Sequence, residues 1–269
     1  NATDNQNVVI TITGTNDDPV VAGPLADTAN EDDAPFSFDL LAGASDLDAT
    51  DSLSVDSFNV DSSDASGIVL NANKIDIDPN AYNHLALGES EIIQMSFNVI
   101  DGNGGITPQT ATITINGAND LPDISIEVGD SEADSLFETD AALAASGSLT
   151  LSDVDLIDTV AVNVNSVVAS GVTDGLDADN TALLAMFSVP AVDVLDNAET
   201  TDTFNWNFAS GTEAFDYLAD GEDLILTYDI EAKDSQNATD NQNVVITITG
   251  TNDDPVVAGP LADTANEDD

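Results

Sequence analysis

Six stretches of this chain alternate apolar and polar residues with a period of two. They are Ile93, Met95, Phe97, Val99; Ala111, Ile113, Ile115; Val160, Val162, Val164; Phe204, Trp206, Phe208; Leu224, Leu226, Tyr228, Ile230; and Val244, Ile246, Ile248. Successive side chains of a strand point to opposite faces, so each stretch reads as a strand with one dry and one wet face. The intervening residues are mostly Thr, Asn, Asp and Ser. Antiparallel sheets of this kind cover their dry faces by packing in pairs, which predicts an all-β chain of β-sandwiches with about seven strands per domain. Only residues 81–87, 180–186 and 213–219 look capable of a helical turn. Strands of about 9 to 11 residues, rising about 3.3 Å each, make a domain roughly 35 to 45 Å long and a two-domain repeat about twice that.

Residues 1–33 and 237–269 are identical letter for letter. Self-similarity at a fixed period marks an array, so the parent chain is expected to continue in both directions, with the ends falling inside domains. A diverged repeat lies within. Residues 82–120 align without a gap on 215–253, residues 46–55 align on 153–162, and Glu31 falls on Glu138. The second domain therefore carries a 26-residue insertion between Val162 and Phe215, most naturally residues 174–199. The expected order is a strand stub (1–16), domain A (17–119), domain B (120–252) and the opening of a next copy of A (253–269). Boundaries fall at TNDDP, ANDLP and TNDDP again. Proline cannot donate to a ladder and biases its predecessor toward extended geometry, so these are short, taut links.

The cut leaves residues 7–14 without the sheet that their twin, 243–250, would occupy. They are expected to fray or to borrow pairing from a neighbouring molecule, and residues 254–269 to be poorly ordered.

Asp and Glu number 52 against two Lys, no Arg and a single His84, a formal net charge of −50. Such a field repels nucleic acid and anionic membrane and attracts cations. Disordered acidic tails lack the alternating apolar runs found here, so the chain reads as folded. Cysteine is absent, which excludes disulfides and thiolate metal sites. No apolar stretch approaches the roughly 18 residues of a membrane span, and no signal peptide is visible.

The acids gather at strand ends and at the domain links. Asp101 and Asn103 in DGNGG, Asn119 and Asp120 in GAND, Glu138, and the pair Asp153 and Asp155 are expected to converge at the A to B link. Carboxylates, Asn amides and backbone carbonyls are what a hard cation such as Ca2+ takes, six to eight oxygens at about 2.3 to 2.6 Å. Without the ion, several anions would share a small volume at a large Coulomb cost. A lone D-x-D is usually a solvated turn, but D-x-D, Glu and Asn-Asp recur in register in both domains. The calcium-loop pattern with Glu at its twelfth place is not met, since the stretch starting at Asp101 ends in Thr112.

The ending V-x-I-T-x-T-G-T-N-D-x-P, the Glu31-Asp32 step, D-x-D and the L-x-x-G-E core of AFDYLADGE resemble the VCBS and cadherin-like tandem repeats of giant bacterial repeats-in-toxin (RTX) surface adhesins. The resemblance covers essentially the whole chain. It implies Ig-like or cadherin-like antiparallel sandwiches joined by calcium-rigidified linkers, acting as extracellular extender modules at the bacterial cell surface. Such modules leave the cell by type I secretion and hold a distal ligand-binding region away from it for adhesion and biofilm formation. The partners implied are calcium and adjacent repeats of the same chain in a monomeric rod, with no nucleic acid and no direct membrane insertion. Carried over by position, the family's junction pattern falls on Asp101, Asn119, Asp120, Glu138, Asp153 and Asp155. At the left end it falls on Asn16, Asp17, Glu31, Asp46 and Asp48, and at the right end on Asp234, Asn252, Asp253 and Glu267. The left junction lacks its upstream Asp and the right one its downstream D-x-D.

Three other readings fit the sequence less well. A glycosidase needs two carboxylates, but among 52 acids close pairs are inevitable, and the single Trp206 alternates with Phe204 and Phe208 as core. His84 aligns with Tyr217 and is expected to pack; no enzymatic activity is expected. A Ca2+-dependent carbohydrate- or cell-binding module would place its site in the domain B insertion, whose apolar half more simply caps the sandwich. Adaptation to brine would scatter acids over strand faces, whereas Thr, Asn and Ser dominate those faces.

Overall fold

A computed structural model describes residues 3–62, 64–255 and 259. The chain divides into two compact units, Asn1–Asn119 and Asp120–Asp269.

Unit 1 holds β1 (Leu25–Asn30), β2 (Phe36–Asp39), β3 (Ser54–Val60), β4 (Ile68–Asn71), β5 (Lys74–Ile77), β6 (Ser90–Ile100) and β7 (Ile106–Asn116). They form a four-stranded sheet, β1-β7-β6-β3, and a three-stranded sheet, β2-β5-β4. Unit 2 holds β8 (Asp123–Ser125), β9 (Ala133–Phe137), β10 (Ala144–Ser152), β11 (Val160–Gly171), α1 (Asn180–Ala185), β12 (Phe187–Ser188), β13 (Thr201–Ala209), β14 (Asp223–Asp234) and β15 (Thr239–Thr249). Its two sheets run β12-β13-β10-β8 and β11-β14-β15-β9. Each unit is thus an Ig-like or cadherin-like sandwich, and each has its own core.

The long hairpins are the strongest alternators. β6 and β7 pair from Ser90↔Asn116 to Ile100↔Ile106, burying Ile93, Met95, Phe97 and Val99 against Ile113 and Ile115. β14 and β15 pair from Asp223↔Thr249 to Lys233↔Thr239, burying Leu224, Leu226, Tyr228 and Ile230 beside Val244, Ile246 and Ile248. One feature departs from the antiparallel expectation: β1 runs parallel to β7 (Asn30↔Asn116), and β9 runs parallel to β15 (Phe137↔Thr249). β1 and β7 in unit 1, and β9 and β15 in unit 2, therefore run in the same direction, from a leading end to a trailing end.

In unit 2 the core is built around Trp206, whose Nε1 donates to the Ser131 carbonyl at 2.8 Å. Its β10 partner is Gly147, where a Cβ would lie 2.5 Å from the indole ring, so only glycine leaves room there. The insertion completes this core. Asp179 caps α1 by accepting from the Ala182 amide at 2.8 Å, which turns the chain so that Leu183, Phe187 and Leu195 are buried. Phe187 stacks on Tyr228 with ring centroids 4.3 Å apart and on Trp206 at 5.5 Å, and the Tyr228 hydroxyl donates to the Leu183 carbonyl.

Several local expectations change. Pro79–Tyr82 forms a 3-10 turn, residues 213–219 form turns without a helix, and α1 is the one α-helix among the described residues. His84 is exposed rather than packed. Its counterpart Tyr217 does pack, because its ring carries a hydroxyl to the Val172 carbonyl at 2.9 Å while the smaller imidazole has no such reach. Residues 3–19 have no regular secondary structure, and Val8, Val9, Ile10 and Ile12 are at least 80% exposed. Residues 256–258 and 260–269, including Glu267, lie outside the described residues.

Candidate metal centres

The β6–β7 turn lies at the opposite end of unit 1 from the close of β7. Eleven residues at about 3.3 Å place these two points roughly 35 Å apart. Asp101, in the turn, therefore belongs to the leading end. The bridge Val20↔Ser45 brings the first link and the D-x-D stretch to the same end.

There the side chains interlock. Asp101 Oδ1 accepts from the amides of Asn103 at 2.7 Å and of Gly104 and Gly105 at 3.0 Å, and Oδ2 accepts from Asn16 Nδ2 at 2.7 Å. These donors, the Asn16 amide first, hold the Asp101 carboxyl below the usual carboxylate range. Asp46 Oδ1 accepts from the Asp48 amide at 2.8 Å, Asp48 Oδ2 from the Asp17 amide at 2.8 Å, and Asp51 Oδ1 from Asn103 Nδ2 at 2.7 Å. One oxygen each from Asp46, Asp51 and Asp101 lies within 4.8 Å of the others. Asp46 Oδ2 and Asp51 Oδ2 are buried with no hydrogen-bond partner.

Unit 2 repeats much of the arrangement. Asp234 Oδ1 accepts from the amides of Gln236 at 2.8 Å and Ala238 at 2.7 Å, as Asp101 does from its own turn. Asp153 Oδ1 accepts from the Asp155 amide at 3.0 Å, and Asp155 Oδ2 from the Asp120 amide at 2.9 Å. Asp158 Oδ1 accepts from Ser235 Oγ at 2.8 Å, in the place of the Asp51 to Asn103 contact. Asp153, Asp158 and Asp234 bring oxygens within 4.8 Å of one another and are each at most 5% exposed. Asp153 Oδ2, Asp155 Oδ1 and Asp158 Oδ2 have no hydrogen-bond partner. Burial, with the neighbouring carboxylates adding to it, pushes Asp153 up to about 6 and Asp155 up to about 7.

The trailing end of each unit carries a buried glutamate. In unit 1, Glu31 follows β1 and is fully buried; its Oε1 accepts from the Ala118 amide at 2.6 Å and its Oε2 from the Leu85 amide at 3.2 Å. In unit 2, Glu138 follows β9; its Oε2 accepts from the Thr251 amide at 2.9 Å, and Asp140 and Asp253 bring oxygens within 4.8 Å of it. Burial and then Glu138 raise the Asp253 carboxyl above its ordinary range.

The expected residues are thus regrouped. Asp101 and Asn103 leave the A to B link and join Asn16, Asp17, Asp46 and Asp48, because hairpin strands run the length of the sandwich. Glu31 leaves that set for the trailing end, because β1 runs parallel to β7. By the same logic Glu138 joins Asp253, and Asp234 joins Asp120, Asp153 and Asp155. Asn119 is half-buried just beyond β7, and Asn252 is exposed, its Nδ2 donating to the Asp253 carbonyl. Asp51, Asp158 and Asp140 join these clusters without having been expected. Asp51 and Asp158 had a signal, since DLDATD and DVDLID place a third Asp at the same spacing.

This donor set fits a hard divalent cation. Two oxygens each about 2.4 Å from one ion are at most about 4.8 Å apart, the spread found in both leading-end triads. Imidazole and thiolate are lacking in both, which disfavours softer metals. The buried oxygens without partners are the atoms a cation would satisfy.

The insertion offers a different kind of feature, an open cleft of 440 Å³ bordered by Asp177, Ala182, Met186, Ser210 and Glu213. Its helix is held by core packing.

A family model for a cadherin-like domain matches residues 15–116. No curated protein matches the chain. Among solved structures, the human Desmocollin-1 ectodomain is similar at 10% identity over 90% of this chain and 38% of that one, with a TM-score of 0.35. PcdhgB3 EC1-4 is similar at 13% identity over 87% of this chain and 50% of that one, TM-score 0.34. The ASH/PapD-like domain of human CEP192 is similar at 11% identity over 51% of this chain and 89% of that one, TM-score 0.33. This chain spans half or less of the two cadherin-type chains.

Proposed function

We propose that this chain is a non-enzymatic extender segment of an extracellular bacterial adhesin, in which Ca2+ held at the ends of successive sandwiches stiffens the links between them. One observation carries the reading: two diverged units keep the same carboxylate constellation, Asp46, Asp51 and Asp101 in one and Asp153, Asp158 and Asp234 in the other. Solvated acids would have no reason to retain matching hydrogen bonds to matching backbone amides. The link residues take part, since the amides of Asp17 and Asp120 donate to Asp48 and Asp155. An ion at the leading end therefore grips the chain where it enters the sandwich. Glu31 and Glu138 fix the chain where it leaves, each accepting from an amide just beyond the last strand. Calcium itself would neutralise the triads and take up their partnerless oxygens.

The cadherin-like match to residues 15–116 supports an adhesion-type extracellular module. Secretion through a type I route, membership of an RTX adhesin and a role in biofilm rest on the repeat pattern. Folding linked to external Ca2+ would suit such export, since a cation that binds only the folded state stabilises it by mass action.

Small-angle scattering of the chain in millimolar Ca2+ and in chelator tests the proposal. Stiffened links give a longer maximum dimension and a narrower distribution of conformations with Ca2+; identical profiles in both buffers would count against it.

A further inference from the structure

Asparagine is followed by glycine twice in this chain, at Asn103-Gly104 and at Asn116-Gly117. A glycine amide has no Cβ beside it, so its nitrogen can swing onto the side-chain carbonyl carbon of the preceding Asn. By sequence the two pairs are equally reactive, and the fold separates them. Asn116 closes β7, an inner strand paired with β6 (Ser90↔Asn116) and with β1 (Asn30↔Asn116), and the Gly117 amide donates to the Glu89 carbonyl at 3.0 Å. A Cβ at Gly117 would lie 2.2 Å from the Leu85 carbonyl oxygen, so the backbone there is closely packed. Asn103 and Gly104 are instead exposed in the β6–β7 turn, with Gly104 at φ +116° and open space beside it. Three hydrogen bonds restrain this pair: the amides of Asn103 and Gly104 donate to Asp101 Oδ1 at 2.7 and 3.0 Å, and Asn103 Nδ2 donates to Asp51 Oδ1 at 2.7 Å.

We propose that Asn103 is a site of spontaneous deamidation, which places a further carboxylate beside Asp46, Asp51 and Asp101 at the leading end of unit 1. When the turn opens, the Gly104 nitrogen loses its proton and attacks Asn103 Cγ. The bond from Cγ to Nδ2 breaks, ammonia leaves and a five-membered succinimide forms; water then opens the ring to aspartate or isoaspartate. Water is the one co-reactant. Unit 2 is spared at the matching position, because Gln236 stands where unit 1 has Asn103 and its longer side chain would have to close a six-membered ring. The backbone contact is the same in both, since the Gln236 amide donates to Asp234 Oδ1 as that of Asn103 does to Asp101. Deamidation replaces the Nδ2 donor by an anionic oxygen, so the contact with Asp51 turns from a hydrogen bond into a like-charge one. In chelator that repulsion loosens unit 1, whereas a cation at the triad screens it. The cation's part rests on the extender reading; the modification itself does not.

The whole chain is aged at mildly alkaline pH, folded in chelator and unfolded in urea, and each Asn-Gly pair is followed by peptide mass spectrometry and by enzymatic methylation of isoaspartate. In the folded chain Asn103 should convert about tenfold faster than Asn116 or more, because an exposed turn opens at far lower cost than an inner strand; in urea the two rates should converge. Asn103→Gln, copying unit 2, should abolish conversion at that position. Asn103→Asp, which has the charge of the product, should lower the melting temperature of unit 1 in chelator relative to Asn103→Gln. Equal folded-state rates at Asn103 and Asn116, or Asn103→Asp melting with Asn103→Gln in chelator, would overturn the proposal. If the melting deficit of Asn103→Asp closes in Ca2+, the extender reading is supported as well; a deficit that persists in saturating Ca2+ would count against that reading while the conversion rates still carry the modification.

Discussion

Replacing Asp153 by Asn is expected to change stability in opposite directions with and without Ca2+. The substitution keeps the shape of the side chain, and its remaining oxygen can still accept from the Asp155 amide at 3.0 Å. The partnerless Oδ2 becomes an amide that can donate to the carboxylates of Asp158 and Asp234. At the 4.8 Å limit of that cluster and an effective dielectric of about 20, each like-charge pair costs about 3 kcal/mol. Water penetration and relaxation reduce this, so about 1 to 2 kcal/mol is the expected net gain for Asp153→Asn in chelator at pH 7.5. At roughly 3 to 5 °C per kcal/mol, unit 2 should melt about 3 to 10 °C higher. In Ca2+ the order reverses. A site saturated a hundredfold stabilises by about 2.7 kcal/mol, and the variant forfeits most of that term. Differential scanning calorimetry in both buffers reads the sign change. Asp153→Asn lowering the transition in chelator as well as in Ca2+ would refute the argument, because Asp153 would then be a satisfied structural acid.

Other consequences follow from the same contacts. In chelator, stability should fall as pH rises from about 4 to about 7.5: the folded pKa values of Asp153 and Asp155 lie above the unfolded value, so the native state binds more protons across that window. Urea titrations at several pH values measure this, and Ca2+ affinity by calorimetry should rise over the same window as those protons are displaced. Glu31→Ala should cost unit 1 about 2 to 4 kcal/mol in chelator, because the amides of Leu85 and Ala118 lose their acceptor; denaturant unfolding checks it. Gly147→Ala should destabilise unit 2 by about 1 to 3 kcal/mol and shift Trp206 fluorescence, since its Cβ would press on the indole.

Period-two alternation was sufficient for the fold because the long hairpins are single-faced strands that say so residue by residue. The parallel pairing of β1 was not legible: LADTAN lacks apolar alternation, and its place beside β7 is settled by packing at the sheet edge. That unseen pairing misplaced Glu31 and, through the repeat, Glu138. Asp101 was misplaced for a different reason. Its proximity in sequence to the A to B link suggested proximity in space, whereas an 11-residue strand carries the chain from one end of the sandwich to the other. Strand length alone would have corrected this. Asp51 and Asp158 stand in matching register three residues beyond each D-x-D, so the spacing alone carries them; Asp140 lies in a loop whose approach to Asp253 only the folded chain brings about. The insertion's apolar half was readable as a cap, and Leu183 and Phe187 serve as one.

The central claim is that each leading-end triad holds Ca2+. Crystals of the chain grown in millimolar Ca2+ and measured for calcium anomalous scattering test it most directly. The account predicts one peak among Asp46, Asp51 and Asp101 and another among Asp153, Asp158 and Asp234, each with oxygens at about 2.4 Å. Triads without anomalous signal, their carboxylates turned apart into solvent, would contradict it.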